Sequence, residues 1–419
     1  MNCKFVIIGL SDSGTPHFPP EVMQIIKEGQ VFSGGKRHHE IMKPFLPAEY
    51  QWIDITVPLS DVFEQYNSQF SILGKTVMVN GQWPMVNEII VFASGDPLFF
   101  GFANTLLREM PEAEIKVFPS FNSLQLLAHR LLLPYHDMRI VSLTGRPWQE
   151  FDRALIERTP KLGVLTDTKE HTPQHIAQRM SQYGFTSYTA YVGEHLGSDS
   201  QERVRKMTLK EVTESTFTSP NCLILHSEAL ERRAPELQCR FGIPDDEFHI
   251  LDGRPRMITK APIRLLSLHA LELQSKHTFW DVGFCTGSVS IEARLHFPHL
   301  QVISFEVRPE GEELMRLNAE KFGAPGIKAL IGDFLTQDLS TLPRPDAVFI
   351  GGHNGHLYEM LERLKEVLLP GGCIVFNSVS AESQQAFKES AVQLGFSLMP
   401  SLHIALNDYN PIEIMKICL

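Results

Sequence analysis

Apolar positions along the chain fall into two alternating patterns. Short runs rich in β-branched and aromatic side chains occur at 5–8, 89–92, 115–118, 139–143, 162–165 and 222–225, which predicts strands. Between them the spacing becomes helical, as at 101–110 and at 123–132, where Leu124, Leu127 and Leu131 share one face. A second series begins near residue 262, with a helix over 262–273 that opens on Pro262. Strands are predicted at 278–282, 302–305, 329–331, 347–350 and 373–376, separated by helices at 288–296, 309–322, 357–368 and 381–394. Two extended stretches, 397–406 and 412–418, follow and are joined by a turn at 407–411. Strand and helix in regular alternation imply α/β domains with largely parallel sheets.

The segment between the two series, 228–256, is charged and carries ERRAPE and GIPDDEF, which places a domain boundary within 228–245. Pro111 and Glu112 interrupt the first series, which predicts a change of subdomain near 111–116. The expected organisation is a domain over 1–228, with subdomains of about 1–112 and 113–228, a linker over 229–250 and a second domain over 251–419. A chain of 419 residues has room for these parts. With 43% hydrophobic and 21% charged residues it can fill packed cores and does not read as disordered. No short-period repeat argues for a solenoid.

Charge and chemistry narrow the classes further. No apolar run approaches the roughly 20 residues that span a bilayer. The opening MNCKFVIIGL turns polar at Ser11 and Asp12, too soon for a secretory signal, so a cytoplasmic protein without a membrane partner is expected. A net charge of −11 argues against a protein that coats nucleic acid, and means that an anionic ligand must meet local clusters of base. The six cysteines form no CxxC pair, so reduced thiols are expected rather than a zinc site or a disulfide framework. His38 and His39 are adjacent, and on a helix they point to different faces, so no metal is expected there.

The strongest local signal is TFWDVGFCTGSVSIEARL. A strand ends at Asp281, a tight loop of Gly283, Phe284, Cys285, Thr286 and Gly287 follows, and a helix opens at Ser288. Such a loop lets the backbone approach a ligand and aims helix N–H groups at it. The next strand ends in Glu306, 25 positions after Asp281, where an acid can accept both hydroxyls of a ribose. IGDF then places Asp333 and Phe334 past a third strand, within reach of an adenine amino group. This series, with GxCxG in place of the GxGxxG of nicotinamide enzymes, resembles the Rossmann-like S-adenosylmethionine methyltransferases. The flanking PRMITKAPIRLLSL, with Thr259, Lys260 and Arg264, and PDAVFIGGHNGHL sharpen this to a resemblance over 250–419 to the precorrin C15-methyltransferases that also remove the ring C acetate carboxyl. Cys285 stands where that family carries glycine, and His353 and Asn354 replace smaller residues of a GGSGG-like loop.

In the first half FASGDPLFFG sets Gly95, Asp96 and Pro97 just after a strand, followed by VFPSFNSLQLLAHRLLLP and RIVSLTGRP. With VIIGL, VFSGGKRHHEIM and YVGEHLGSDSQERV, these resemble, over 1–228, the precorrin C5-methyltransferases of the tetrapyrrole methyltransferase fold. The resemblance implies a cofactor cleft between two α/β subdomains, walled by Gly95, Asp96, Pro97 and a second loop at Ser123. GLSDSG at 9–14 departs from the GxGPG of that family, and lost glycines stiffen the loop.

Both matches in one chain resemble the fused, decarboxylating precorrin C5,15-methyltransferases of cobalamin biosynthesis. That resemblance implies two S-adenosylmethionine sites, one per half, and methylation of C5 and C15 of precorrin-6Y/6B or its cobalt form. It also implies loss of the ring C acetate carboxyl to give precorrin-8. The substrate partner is then a tetrapyrrole, and homologous folds commonly self-associate, which implies a homo-oligomer. Cofactor contacts are expected at Gly95, Asp96, Pro97, Ser123, Thr259, Asp281, Gly283, Phe284, Cys285, Thr286, Gly287, Glu306, Asp333 and Phe334. A ring bearing many carboxylates calls for Arg and Lys, and the candidate clusters are Lys36, Arg37, His38 and His39 with Arg146 in the first half and Arg254, Arg256, Lys260 and Arg264 in the second. His353, with His356 nearby, is the candidate proton donor for decarboxylation. Two other readings use part of the same features: an RNA or protein methyltransferase acting through the second half, and a non-catalytic sensor of S-adenosylmethionine or tetrapyrrole. The acidic charge balance and the lack of an NPPY-like motif weigh against the first.

Overall fold

A computed structural model describes residues 3–11, 13–14, 16–73, 88–231, 241–252, 254, 257–406 and 410–419. The chain divides into two compact units. One holds 1–144, 161–175 and 189–226; the other holds 145–160, 176–188 and 227–419.

The first unit contains two five-stranded sheets. Strands β1 (Lys4–Leu10), β2 (Val31–Gly34), β3 (Gln51–Asp54), β4 (Glu88–Ser94) and β5 (Glu114–Phe118) form a parallel sheet in the order β3-β2-β4-β1-β5. β1 reads as an unbroken apolar run because both of its faces are covered. Phe5 and Ile7 enter one core, and Val6, Ile8 and Leu10 enter the other. β5 pairs with β1 from Glu114 to Phe118, so the change of sheet falls after Phe118 rather than near residue 112.

The second sheet joins β6 (Arg139–Ser142), β7 (Lys161–Leu165), β8 (Thr189–Glu194), β9 (Arg203–Thr208) and β10 (Asn221–His226) in the order β6-β7-β10-β8-β9. Only β6 and β7 run parallel; the other three pairings are antiparallel, so this one sheet departs from the largely parallel arrangement expected and found elsewhere in the chain. The cause lies in β8 and β9, which the apolar pattern does not reveal. β9 is a polar edge strand, RVRKMT, with no buried residue, and it returns directly beside β8.

The second unit is built on β11 (Thr278–Val282), β12 (Gln301–Glu306), β13 (Ile327–Ile331), β14 (Ala347–Ile350), β15 (Cys373–Ser378), β16 (Ser397–Leu398), β17 (Leu402–Ile404) and β18 (Ile412–Cys418). The sheet order is β13-β12-β11-β14-β15-β18-β16, with β17 also on β18. The first five are parallel and β18 is antiparallel to β15, a Rossmann-like arrangement with an antiparallel edge. β11 is buried from end to end. The predicted extended stretches become β16, β17 and β18, and most of the turn between them, 407–409, lies outside the described residues.

Three segments belong to this unit that the sequence pattern assigned elsewhere. Residues 241–250, expected as linker, are packed: the N–H groups of Gly242 and Ile243 donate to Glu292, and Phe248 joins the core with Ile291 and Met315. The rest of that linker, 232–240, lies outside the described residues. From 145–160 and 176–188, Ile156 and Tyr183 enter the same core. Asp152 there grips Arg179 through two bonds of 2.7 Å. None of the described helices is long and apolar enough to cross a membrane.

Candidate active sites

In the second unit the GFCTG loop leaves β11 and turns into the helix Ser288–His296. Gly283, Cys285 and Gly287 all hold left-handed backbone, at φ 83°, 51° and 75°. Glycine does this freely; a residue with a Cβ does so at roughly 1–2 kcal/mol. Cys285 is held there from both sides. Its N–H donates to Glu306 Oε2 at 2.8 Å, and its thiol donates to the Met257 carbonyl at 3.1 Å. A Cβ on Gly283 would lie 2.9 Å from the Gly352 nitrogen, and one on Gly351 would lie 2.8 Å from the Gly283 carbonyl oxygen. The loops after β11 and β14 therefore touch backbone to backbone at the C-terminal ends of parallel strands.

A cavity of about 1290 Å³ opens there. Its wall includes Thr259, Lys260, Gly283, Phe284, Cys285 and Thr286. The hydroxyl of Thr286 is buried in that wall with no hydrogen-bond partner among the described residues. A second cavity of about 200 Å³ adjoins it and is walled by Glu306, Asp333, Phe334, His353, His356 and Met360 among others. Val307, Arg308, Gly283, Gly352 and Asn354 line both. Glu306 ends β12 and is buried. Gly311 lets the next helix approach it, since a Cβ there would sit 2.6 Å from Glu306 Cγ. Asp333 uses one carboxylate oxygen to accept the Leu335 N–H at 3.0 Å.

Several expected contacts lie elsewhere. Asp281 is fully buried outside both walls; Ser290 donates to its Oδ2 at 2.5 Å, and Oδ1 has no partner among the described residues. Burial pushes its pKa up to about 7, against the pull of the Ser290 bonds, and the nearby charge of Glu306 adds to the rise. Gly287 caps the helix rather than lining either cavity, pressed so near Met315 that a Cβ would lie 2.6 Å from its sulfur. Arg264 is a correction: it is wholly buried, not a substrate contact. It donates to Glu292 at 3.0 Å, Asp245 at 3.3 Å, the Thr259 carbonyl at 2.8 Å and the Ile243 carbonyl. In that place it braces the strip that carries Thr259 and Lys260. Arg256 lies outside the described residues.

His353 belongs to the smaller cavity and does not line the larger one. Its ring meets Phe376 edge-on at 5.6 Å, and its Nδ1 accepts the Gly355 N–H at 3.2 Å. Burial and the neighbouring His356 lower its pKa. A neutral ring beside Glu306 and Asp333 is a wall of that pocket.

The first unit has its own cavity, about 460 Å³, between its two sheets. Gly95 takes φ 60° and donates its N–H to the Leu10 carbonyl at 2.7 Å, and its own carbonyl accepts the Ser120 N–H at 3.2 Å. Ser123 opens a helix capped reciprocally by Asn122 and Gln125, and bonds the Cys222 thiol, which burial pushes up to about 12. Gly95, Ser123 and Arg37 line the cavity; Asp96, Pro97, Lys36 and Arg146 do not. Asp96 instead fixes the turn, accepting the Leu98 N–H at 2.9 Å, and Gly101 passes so close that a Cβ would lie 2.5 Å from the Pro97 carbonyl oxygen. That turn delivers Phe99, Phe100 and Phe102 to the wall.

Two family models match the chain. One, for tetrapyrrole (corrin/porphyrin) methylases, covers residues 4–213, and one for a precorrin methyltransferase domain covers 250–415. A Sinorhizobium protein named precorrin-6Y C(5,15)-methyltransferase [decarboxylating] is 31% identical over 94% of this chain and 89% of its own length. The chain belongs to that family of S-adenosylmethionine-dependent methyltransferases. A Salmonella typhi cobalt-precorrin-6B C(15)-methyltransferase (decarboxylating) is 34% identical over 39% of this chain and 83% of its own. A crystal structure titled precorrin-6y C5,15-methyltransferase from Geobacter metallireducens is 31% identical, covers 42% of this chain and 96% of that one, and has a TM-score of 0.39.

Of the basic cluster at 36–39, His38 lines the first cavity of this methyltransferase, with its Nε2 2.9 Å from Ser94 Oγ and its Nδ1 accepting the Gly35 N–H at 3.3 Å; other lining residues were missed by sequence reasoning. Burial, with the charge of Arg37, lowers its pKa to about 4, so the ring is neutral near neutral pH. His39 faces another way, stacked on Trp52 at 4.1 Å and bonded to Tyr50. Phe100, at φ 54°, and Phe121 are exposed apolar walls of the same cavity. The clue to Arg308 was present in FEVRPEG, two positions after the ribose-type acid.

Proposed function

We propose that each unit holds its own site for S-adenosylmethionine, the stretch 1–228 serving methylation at C5 and 251–419 serving methylation at C15 with decarboxylation. What supports two sites is the presence in each unit of a walled cavity built on close-approaching glycine loops at strand ends. The residues fit the donor. In the second unit the glycines of the GFCTG loop leave the backbone open to a ligand, the Thr286 hydroxyl has no partner among the described residues, and Glu306 stands where the acid that meets a ribose is expected. Asp333 has a second carboxylate oxygen for an adenine amino group, and Val307 and Phe334 supply apolar walls.

The donor supplies a methyl group on a sulfonium that is its own leaving group, so the chain must chiefly align the reacting atoms, about 3–3.5 Å apart. Arg254 and Lys260 in the large wall can take ring carboxylates, while Ile258, Ile263, Val379 and Ile404 keep water from the carboxylate that leaves as carbon dioxide. The electron pair of the broken bond passes into the conjugated ring. In the first unit Phe100 and Phe121 can lie against the faces of a flat macrocycle, with Arg37 for a carboxylate.

The test is to incubate the purified chain with S-adenosylmethionine and precorrin-6B, and separately its cobalt form, followed by mass spectrometry. Two methyl additions and one carbon dioxide lost are expected, and equilibrium dialysis with S-adenosylhomocysteine should count two sites. A single donor site would contradict the proposal.

A further inference from the structure

Glu306 is the acid that the proposed function gives to the ribose, yet the chain already fills it. Oε1 accepts the Arg308 N–H at 3.1 Å and Nε at 2.9 Å; Oε2 accepts the Cys285 N–H at 2.8 Å and Arg308 Nη2 at 3.3 Å. A carboxylate offers about four acceptor positions, so all are taken. Two of the four donors are backbone groups locked by the loop and strand end. The other two sit on a guanidinium whose side chain is 30% exposed. A ribose diol gains Glu306 only when that guanidinium lets go.

The place it can go is also visible. Arg308 lines both cavities. Its Nη1 lies 3.5 Å from the sulfur of Met257, and Arg254 Nη1 lies 3.6 Å from the same sulfur. Arg254 has no ion pair among the described residues. Two guanidiniums thus converge on the sulfur of one methionine in the wall of the large cavity, like charges side by side, an arrangement suited to an incoming carboxylate.

We propose that Arg308 is a positioning residue that couples the two ligands of this site. It seals Glu306 in the free chain, yields it to the ribose of the donor, and turns to join Arg254 on a carboxylate of the tetrapyrrole. The inference rests on the proposed function, which puts the macrocycle in the large cavity. By linkage each ligand then tightens the other.

The test is calorimetric titration of the full chain with S-adenosylhomocysteine, with and without saturating uroporphyrin, a metal-free polycarboxylate tetrapyrrole. The isotherm of the second unit is assigned by its loss in Glu306→Gln. Uroporphyrin should tighten that site at least fivefold in the unaltered chain. Arg308→Met should bind S-adenosylhomocysteine at least as tightly without uroporphyrin and show no further tightening with it. Arg308→Lys, which keeps the charge without the fork, should retain part of the coupling and covers the case in which the methionine variant melts early. Uroporphyrin that binds the unaltered chain without changing the donor site overturns the coupling alone, as does full coupling in Arg308→Met or a tenfold weaker donor site there. No uroporphyrin binding at all overturns the reading of the large cavity and the coupling with it.

Discussion

Gly9, near the end of β1, lies against Gly95, just past β4, so tightly that a Cβ on Gly9 would sit 2.0 Å from the Gly95 carbonyl oxygen and 2.6 Å from the Ser120 nitrogen. Both contacts are backbone and cannot turn aside. Although GLSDSG has lost other glycines of the family pattern, it keeps the one that the crossing demands. Gly9→Ala is expected to displace the Gly95 turn and lower the C5 rate more than tenfold while the C15 rate stays within twofold. Separate quantification of the two methyl additions by mass spectrometry checks this. A C5 rate that survives the substitution would show that the turn can move without loss.

Asp96 and Glu306 sit in different cavities' supporting structure, so their loss should separate the two steps. Asp96→Ala frees the Leu98 N–H and loosens the turn that carries Phe99 and Phe100, an effect of about 1 kcal/mol on local order. The C5 step should fall and the C15 step should not. Glu306→Ala removes the acceptor for ribose and the partner of Arg308, and only the C15 step should fall. Equal loss of both steps from either change contradicts independent sites.

The parallel core was legible because burial on both faces leaves continuous apolar runs, as in β1 and β11. β8 and β9 escaped because β9 is a polar edge whose place is set by pairing, not by its own pattern. Gly95 and Gly283, each just past a strand, do line the cavities, whereas Gly287 in the same loop serves to cap a helix. Which basic residues would do so was not legible. Arg264 and Lys260 stand four apart in one motif, yet one is wholly buried on Glu292 and the other lines the cavity. Which base faces ligand depends on where acids lie in space, and that is written in contacts such as Glu292 and Asp245, far away along the chain.

Cys285 offers a test of backbone strain. At φ 51° it occupies a region that disfavours any Cβ by roughly 1–2 kcal/mol, and glycine at this position removes that strain. Against this, glycine costs roughly 0.5–1 kcal/mol in chain entropy and gives up the thiol bond to Met257. Cys285→Gly should therefore change the unfolding free energy by less than about 1 kcal/mol. Gly283→Ala, with φ 83° and the Gly352 nitrogen 2.9 Å from its Cβ, should destabilise more strongly. Chemical denaturation of both variants decides it; a loss above about 2 kcal/mol for Cys285→Gly would mean that the thiol holds the loop.

Asp281 sets a pH dependence of the opposite sign to that of most acids. Its folded carboxyl keeps a proton up to about pH 7, whereas an unfolded aspartate loses its proton at about pH 4. Between those values the folded chain holds more protons than the unfolded one. The contribution of this group to stability is therefore full below about pH 4 and is lost as pH rises through 7, by roughly 3–4 kcal/mol in all. Asp281→Asn cannot ionise and can still accept from Ser290, so its stability should be flatter over this range. At pH 8 the variant should gain on the unaltered protein, relative to the same comparison at pH 5, by about 5 °C or more in melting temperature. An identical difference at the two pH values would mean that Asp281 is ionised in the fold and that its Oδ1, without a partner among the described residues, has found a donor.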